Sequence, residues 1–151
     1  MRFQFIDRIE KIQKYKYARG TKNISFEEGF LDSLNSEKGC IPRTLLIECA
    51  AQLVSWFVLY STDFTKIPLI AKIDQAILEG SISCGNVLTV EIIIEAWNDD
   101  GALLNCSAFL KDRIIARGSH CLCTFSPADQ LVEAEEMKCR FRELIKDGEI
   151  V

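Results

Sequence analysis

Residues 42–61 read P-R-T-L-L-I-E-C-A-A-Q-L-V-S-W-F-V-L-Y-S, a nearly continuous apolar run. A helix that is hydrophobic on all sides is typical of a core, so the run predicts a central helix that other elements wrap. Pro42 suits its first turn, where a backbone N–H is not needed. Glu48 is the one charged side chain between Arg43 and Asp63. Burying a carboxylate costs several kcal/mol unless it is paired or neutral, so a reaction or a binding site is the leading explanation for Glu48.

The composition indicates one ordinary globular domain, with 151 residues, 48% hydrophobic and 26% charged. The N-terminal sequence M-R-F-Q-F-I-D-R-I-E-K carries charges every few residues, so no signal peptide is expected. The apolar part of the central run is shorter than the ~20 residues that cross a bilayer, so no membrane span is expected. Together these features predict a cytoplasmic protein.

Charge is distributed unevenly along the chain. Residues 1–22 hold seven Lys and Arg against two Asp and Glu, whereas the net charge of the whole chain is -4. This basic edge is either a solvated strand pair or a docking surface for an acidic partner. An acidic chain without a larger basic patch is not expected to bind nucleic acid.

The chain has seven cysteines, an odd number. Without an export signal, an odd count indicates reduced thiols rather than a disulfide framework. Cys121 and Cys123 form C-x-C beside His120, but this spacing lacks a second ligand pair and makes a poor zinc site. Neither a metal nor an organic cofactor is expected.

Alternating residues mark strands on either side of the central run. The clearest case is V-L-T-V-E-I-I-I-E-A-W at 87–97, which has one apolar face. Turns at 98–101 and 111–113 join it to two further strands, and the first 24 residues predict another strand pair. The expected fold class is α+β, with a long antiparallel sheet wrapped around the central helix.

A C-terminal helix is expected to begin at Ser126-Pro127, with the serine as its cap and the proline at its first position. This start divides the chain into a sheet-and-helix domain at 1–125 and an amphipathic helix extension at 126–151. The apolar stripe of the extension either packs on the chain's own sheet or docks a partner protein.

Three separated segments resemble the β-hydroxyacyl-[acyl-carrier-protein] dehydratases of fatty acid synthesis, which have the hotdog fold. The segments are F-Q-F-I-D-R-I at 3–9, P-R-T-L-L-I-E-C-A-A-Q at 42–52, and I-D-Q-A-I-L at 73–78 followed by G-N-V-L at 85–88. They occur in the family's order and with fitting spacing. The resemblance implies a hotdog domain, a central helix inside its sheet, and thioesters of acyl carrier protein or coenzyme A as ligands.

The resemblance also implies roles for particular residues. The family's helix carboxylate matches Glu48, and Gln52 follows one turn later in the same motif. The family's catalytic histidine falls on Leu34, so the general base is missing, a loss that usually costs 10²- to 10⁴-fold in rate. Arg43 replaces the family's glycine but keeps a backbone N–H that can donate to a thioester carbonyl. The one histidine of the chain, His120, is expected on a strand face toward the helix, as a core residue or a relocated base.

Three functions stay open at this point. The first is an accessory dehydratase-like subunit of fatty acid or polyketide-type synthesis, as a homodimer or as a heterodimer with a catalytic dehydratase homologue whose site Glu48 completes. The second is a thioester hydrolase that uses Glu48 with the Arg43 N–H. The third is an acyl-thioester binder without turnover, in which Gln52 satisfies Glu48.

Overall fold

A computed structural model describes residues 4–25, 40–80 and 82–151. In chain order its elements are β1 (Arg8–Gln13), β2 (Tyr17–Asn23), β3 (Cys40–Ile41), α1 (Thr44–Ser61), β4 (Lys66–Leu78), β5 (Ile82–Ser83), β6 (Val87–Trp97), β7 (Gly101–Leu110), β8 (Arg113–Pro127), a 3-10 turn (Ala128–Gln130), α2 (Ala134–Leu144) and β9 (Glu149–Ile150). The predicted order of strand pair, central helix, long strands and C-terminal helix is confirmed.

Within the described ranges, seven strands form one sheet in the order β4-β8-β7-β6-β2-β1-β9. Every neighbouring pair is antiparallel except β1 and β9, which are parallel. The short strands β3 and β5 form a separate pair. Periodicity did not predict β3, β5 or β9, because a two-residue strand is too short to alternate.

The apolar run of α1 packs against one face of this sheet. Its buried side chains repeat at helical spacing, as shown by Leu46, Cys49, Leu53 and Phe57. The sheet contributes inward residues from alternate positions, such as Val90 and Ile92 of β6, and from Ile9 and Ile12 of β1, which a β-bulge places three positions apart. A helical period on one side and a period of two on the other therefore meet in one core.

The sheet packs around α1 as predicted, but the burial that the apolar run implied for Glu48 is wrong. Thr44 and Glu48 are exposed, and Gln52 and Ser55 are half-buried. The sheet and the C-terminal helix cover other parts of α1, so the exposed stretch lies on the side that carries Glu48. By length and composition α1 is also the one described helix that could cross a membrane, with 44% of it buried inside the fold.

The two turns between the long strands occur where the residues predict them. Asn98 accepts hydrogen bonds at its side-chain oxygen from the N–H groups of Asp100 (2.8 Å) and Gly101 (2.9 Å), which closes the turn between β6 and β7. Lys111, at φ 56°, turns the chain from β7 into β8. These local turns set the register of two long antiparallel pairings, β6 with β7 and β7 with β8.

The C-terminal helix begins later than expected, at Ala134 rather than at Pro127. Strand β8 continues through Pro127 because Pro127 lies opposite Lys66 on β4, so cross-strand pairing overrides the helix-start signal. The expected stripe is confirmed, since Met137, Phe141 and Leu144 are buried.

The C-terminal stripe packs mainly on aromatic side chains of α1 and its C-terminal end. Phe141 stacks on Tyr60, with ring centroids 4.9 Å apart, and also contacts Trp56 and Phe64. Phe141 and Leu144 belong to the same hydrophobic core as α1. The division of the chain into 1–125 and 126–151 stays a prediction.

The basic N-terminal strand pair is largely neutralised by acidic residues from elsewhere in the chain. Arg8 pairs with Asp147 (2.6 Å) and Lys14 with Asp63 (2.6 Å), and Arg19 lies between Glu10 and Glu91. Exposed pairs of this kind contribute little stability. They do cancel most of the positive charge that a docking surface for an acidic partner would need.

Candidate functional site

A chain of hydrogen bonds fixes Glu48 on the open side of α1. The backbone N–H of Phe5 donates to Gln52 Oε1 (2.8 Å), and Gln52 Nε2 donates to Glu48 Oε1 (3.0 Å). Because a backbone N–H can only donate, Gln52 must turn its carbonyl toward Phe5 and its NH₂ toward Glu48. The predicted site residues Glu48 and Gln52 are thus brought together, and Phe5 from the N-terminal segment orients both.

The start of α1 leaves backbone donors facing outward. Arg43 already has helical angles, φ -56° and ψ -32°, and no side chain caps the helix there. Its carbonyl accepts the Leu46 N–H (3.0 Å), whereas no acceptor in the described part of the chain takes the Arg43 N–H. Arg43 and Thr44 are both exposed. Unpaired N–H groups at a helix N-terminus favour a carbonyl oxygen or an anion.

An apolar cleft runs along one flank of α1, between the helix and strands β4, β7 and β8. Its lining includes Ile47 and Ala51 of α1, Ile73 of β4, and three cysteines, Cys106, Cys121 and Cys123. The cavity is about 50 Å³, several times the ~10–15 Å³ that one water needs. A narrow space with an apolar wall suits a short hydrocarbon chain better than a polar ligand.

The expectation that His120 faces the helix is wrong. Where β7 meets β8, Leu104 pairs with Cys121 and Cys106 pairs with Gly118. Two residues of β8, Ser119 and His120, therefore lie opposite one residue of β7, Asn105. This β-bulge shifts the alternation by one residue. Upstream, Ala116 and Gly118 are buried, but downstream the buried residues are Cys121 and Cys123.

His120 itself occupies the bulge at φ 50°, and 58% of its side chain is exposed. Its N–H donates to Asn105 Oδ1 (2.9 Å), and its ring lies 3.8 Å from Glu95. Asn105 lies between the inward-facing Leu104 and Cys106, so its side chain is on the sheet face away from α1. The His120 and Glu95 side chains are on that face as well. A relocated base beside Glu48 is excluded by this placement.

Comparison with known proteins identifies the family. Residues 1–119 match the model of the FabA-like domain. The chain belongs to the FabA-like family.

Curated FabA-like relatives are dehydratases. The chain is 26% identical over 117 residues to the 3-hydroxyacyl-[acyl-carrier-protein] dehydratase FabZ of Caldicellulosiruptor saccharolyticus, covering 77% of this chain and 84% of that protein. It is 32% identical over 112 residues to the FabZ of Clostridium tetani, covering 74% and 79%. Solved structures with the same fold include a Streptococcus mutans protein bound to acetyl-CoA (TM-score 0.64, 11% identity, 85% and 94% covered). A Haemophilus influenzae thioesterase is a second (TM-score 0.58, 8% identity, 75% and 73% covered). The predicted hotdog fold is therefore confirmed.

The other candidate residues of this FabA-like site are Leu34 and the C-x-C segment beside His120. Leu34, the predicted counterpart of the family's histidine, lies outside the described residues. The C-x-C segment does not converge with His120, because the bulge turns the histidine outward while both cysteines point inward. Within 4–25, 40–80 and 82–151, no group of three His, Cys, Asp or Glu side chains could hold a metal ion.

Sequence reasoning missed two parts of the site. The Phe5 N–H that orients Gln52 comes from a position 47 residues away, and a backbone donor has no residue-type signature. The convergence of Cys106 with Cys121 depends on the bulge in β8. The spacing of Cys121 and Cys123 was the one signal of this cysteine cluster in the sequence, since residues i and i+2 of a strand share a face.

Proposed function

We propose that this FabA-like chain is an accessory subunit that binds 3-hydroxyacyl or 2-enoyl thioesters and completes the active site of a dehydratase homologue. Acyl carrier protein or coenzyme A would carry the acyl group, in cytoplasmic fatty acid or polyketide-type synthesis. The observation that carries the proposal is Glu48, which is exposed yet held by the Gln52–Phe5 hydrogen bonds. A carboxylate held in place toward the outside is arranged to serve a neighbouring chain.

The chemistry of dehydration supports a shared site. Removing water from a 3-hydroxyacyl thioester requires a base to take a proton from carbon and an acid to protonate the leaving hydroxyl. Glu48 can supply one of these groups, and a histidine of the partner would supply the other. The chain's own histidine, His120, lies on the far face of the sheet, so it cannot pair with Glu48.

The outer edge of the sheet supports pairing with another chain. Strand β4 has 13 residues and pairs with β8 on one side, while its other side carries no strand from the described part of the chain. Leu69 is 50% exposed, and Ile70 and Ile77 are also exposed. A long edge strand with exposed apolar residues is a template for another strand, so we infer a dimer through β4.

The dimer is tested by sedimentation velocity of Ile77→Lys and Ile93→Lys. A lysine at Ile77 should release monomers, because it places a charge at the edge of β4. Ile93 is 53% exposed on the interior strand β6, and its lysine variant should sediment as the wild type does. Equal behaviour of the two variants would contradict pairing at this edge.

The accessory role is tested with the pure chain, a histidine-containing FabZ homologue from the same cell, and the 1:1 mixture. Each receives 3-hydroxyacyl-acyl carrier protein, and the carrier's mass is followed. We expect no change with the pure chain and a loss of water with the mixture. Glu48→Gln, which keeps the shape but not the charge, should return the rate of the mixture to that of the homologue alone. Water loss by the pure chain would refute the accessory role, as would an undiminished rate with Glu48→Gln.

Thioester hydrolysis is the second candidate, and the outward N–H groups at the start of α1 favour it. A thioester carbonyl bound there would be polarised near the helix that carries Glu48. In the same assay hydrolysis removes the whole acyl group, so its mass change differs from the loss of one water. Loss of the acyl group with the wild type but not with Glu48→Gln would replace the accessory role by a thioesterase.

A further inference from the structure

Two of the three cysteines in the apolar cleft place their sulfur atoms beside the same glycine. Cys106 lies on β7 and Cys121 on β8. A Cβ atom added to Gly118, which lies opposite Cys106, would be 2.6 Å from Cys106 Sγ and 3.1 Å from Cys121 Sγ. Both sulfur atoms therefore occupy the space that the missing side chain of Gly118 leaves open.

The bulge at His120 brings the two sulfur atoms to the same face of the sheet. Without it, regular alternation from the buried Gly118 would turn residue 120 inward and Cys121 outward. The extra residue moves Cys121 to the inner face, diagonally across from Cys106. The left-handed backbone of His120 is therefore part of the bulge that turns the Cys121 side chain into the wall of the cleft.

The two thiols differ in reactivity. The hydrogen bond from Cys121 lowers the pKa of Cys106, and it raises the pKa of Cys121, which donates it. Burial raises the pKa of the third thiol, Cys123. Because the thiolate is the nucleophile, Cys106 is the attacking group, and Cys121, whose sulfur lies beside the same glycine, is its thiol partner.

We propose that Cys106 and Cys121 are a redox-reactive dithiol that hydrogen peroxide converts to a disulfide in the wall of the cleft. Cys106 sulfur attacks one peroxide oxygen, the O–O bond breaks, and the second oxygen leaves as water after taking a proton. The resulting sulfenic acid is attacked by Cys121 sulfur, the S–O bond breaks, and a second water leaves. Two thiols are oxidised and one peroxide is reduced to two waters.

The two sulfur atoms are near each other but not at bonding distance. Each lies close to the Cβ position built on Gly118, at 2.6 Å and 3.1 Å, so the two are within about 6 Å of each other, whereas a disulfide joins them at about 2.05 Å. Rotation of the two side chains, with a shift of the irregular backbone at His120, closes this distance. The reaction is independent of the proposed function, because it needs the two thiols and not an acyl ligand.

The test is hydrogen peroxide treatment of the full chain at neutral pH, followed by tryptic mapping without reduction. Cleavage after Lys and Arg places Cys106 in peptide 73–111 and Cys121 in peptide 118–138. We expect these peptides to be joined with the loss of two hydrogens, and dithiothreitol to separate them. Fragmentation distinguishes Cys106 from Cys84 and Cys121 from Cys123. Labelling of the exposed Cys139 with a sulfenic-acid probe shows that the oxidant acted.

Variants separate the pair from its neighbours. Cys121→Ser should abolish the link and leave Cys106 open to the sulfenic-acid probe, whereas the matched Cys123→Ser should keep the link. Gly118→Ala should reduce its yield several-fold, because the added methyl group displaces the sulfurs. A wild-type chain in which Cys139 is oxidised but the peptides stay separate overturns the proposal. A link through Cys84 or Cys123 overturns it as well.

Discussion

Replacing Gln52 tests whether the hydrogen bonds through this side chain stabilise the fold and orient Glu48. Gln52→Met keeps the length of the side chain but removes the acceptor of the Phe5 N–H. Phe5 is buried, at 7% exposure, and leaving a buried donor without its acceptor costs about 1–3 kcal/mol. We expect the free energy of unfolding to fall by about that amount. Urea titration followed by tryptophan fluorescence measures it, with Trp56 on the same helix as a reporter.

Gln52→Glu is the matched control for this experiment. Its carboxylate can still accept the Phe5 N–H, and the like-charge pair with Glu48 at i,i+4 costs only about 0.2–0.5 kcal/mol. The glutamate variant should therefore be more stable than the methionine variant, although both lose the donor to Glu48. In the shared dehydration assay both should be slower than the wild type. A methionine variant within about 0.5 kcal/mol of the wild type would refute the reasoning, as would equal losses of stability in the two variants.

Phe141→Ala should lower the free energy of unfolding by about 3–5 kcal/mol, since Phe141 stacks on Tyr60 in the core; an unchanged melting temperature would contradict this packing. Tyr17 donates to Glu91 (3.0 Å), and burial is the main cause that raises the pKa of Tyr17. The stability that the fold gains from a protonated Tyr17 is fully present below the ordinary tyrosine pKa of about 10. This stability is lost as the pH rises through the higher pKa that Tyr17 has in the folded chain. Tyr17→Phe should therefore lose less stability than the wild type in urea titrations between pH 8 and 11, and an equal loss would exclude Tyr17 as the cause. His120→Gly removes a left-handed strain of about 1 kcal/mol and adds about 0.4–1 kcal/mol of unfolded-chain entropy. The urea midpoint of this variant and its activity with the partner should match those of the wild type. A large loss of activity would show that His120 takes part in the site.

Local patterns were sufficient for most of the fold. The apolar run predicted α1, and its observed end at Ser61 follows the last apolar turn. Alternation predicted β6, and the polar turn residues after it predicted the return into β7. Each of these signals depends on residues within a few positions of one another, which is why a single sequence is enough to read them.

The errors occurred where partners distant in sequence decide the backbone. Ser126-Pro127 has the chemistry of a helix start, but pairing with Lys66 of β4 keeps Pro127 in β8. His120 was placed on the inner face by alternation, and the bulge opposite Asn105 reversed it. A cross-strand hydrogen bond to Asn105 is visible only when β7 and β8 are aligned in space.

The family, the central helix and the one-turn spacing of Glu48 and Gln52 can be read from the chain, because motif order and helical period depend on residue order alone. The folded chain was needed to show that Glu48 is exposed, that the Phe5 N–H orients Gln52, and that Cys106 and Cys121 share the space beside Gly118. These features depend on which side of α1 the sheet covers and on one extra residue in β8. The physical reason is that burial and cross-strand contact arise from the packing of distant segments, which no local pattern encodes.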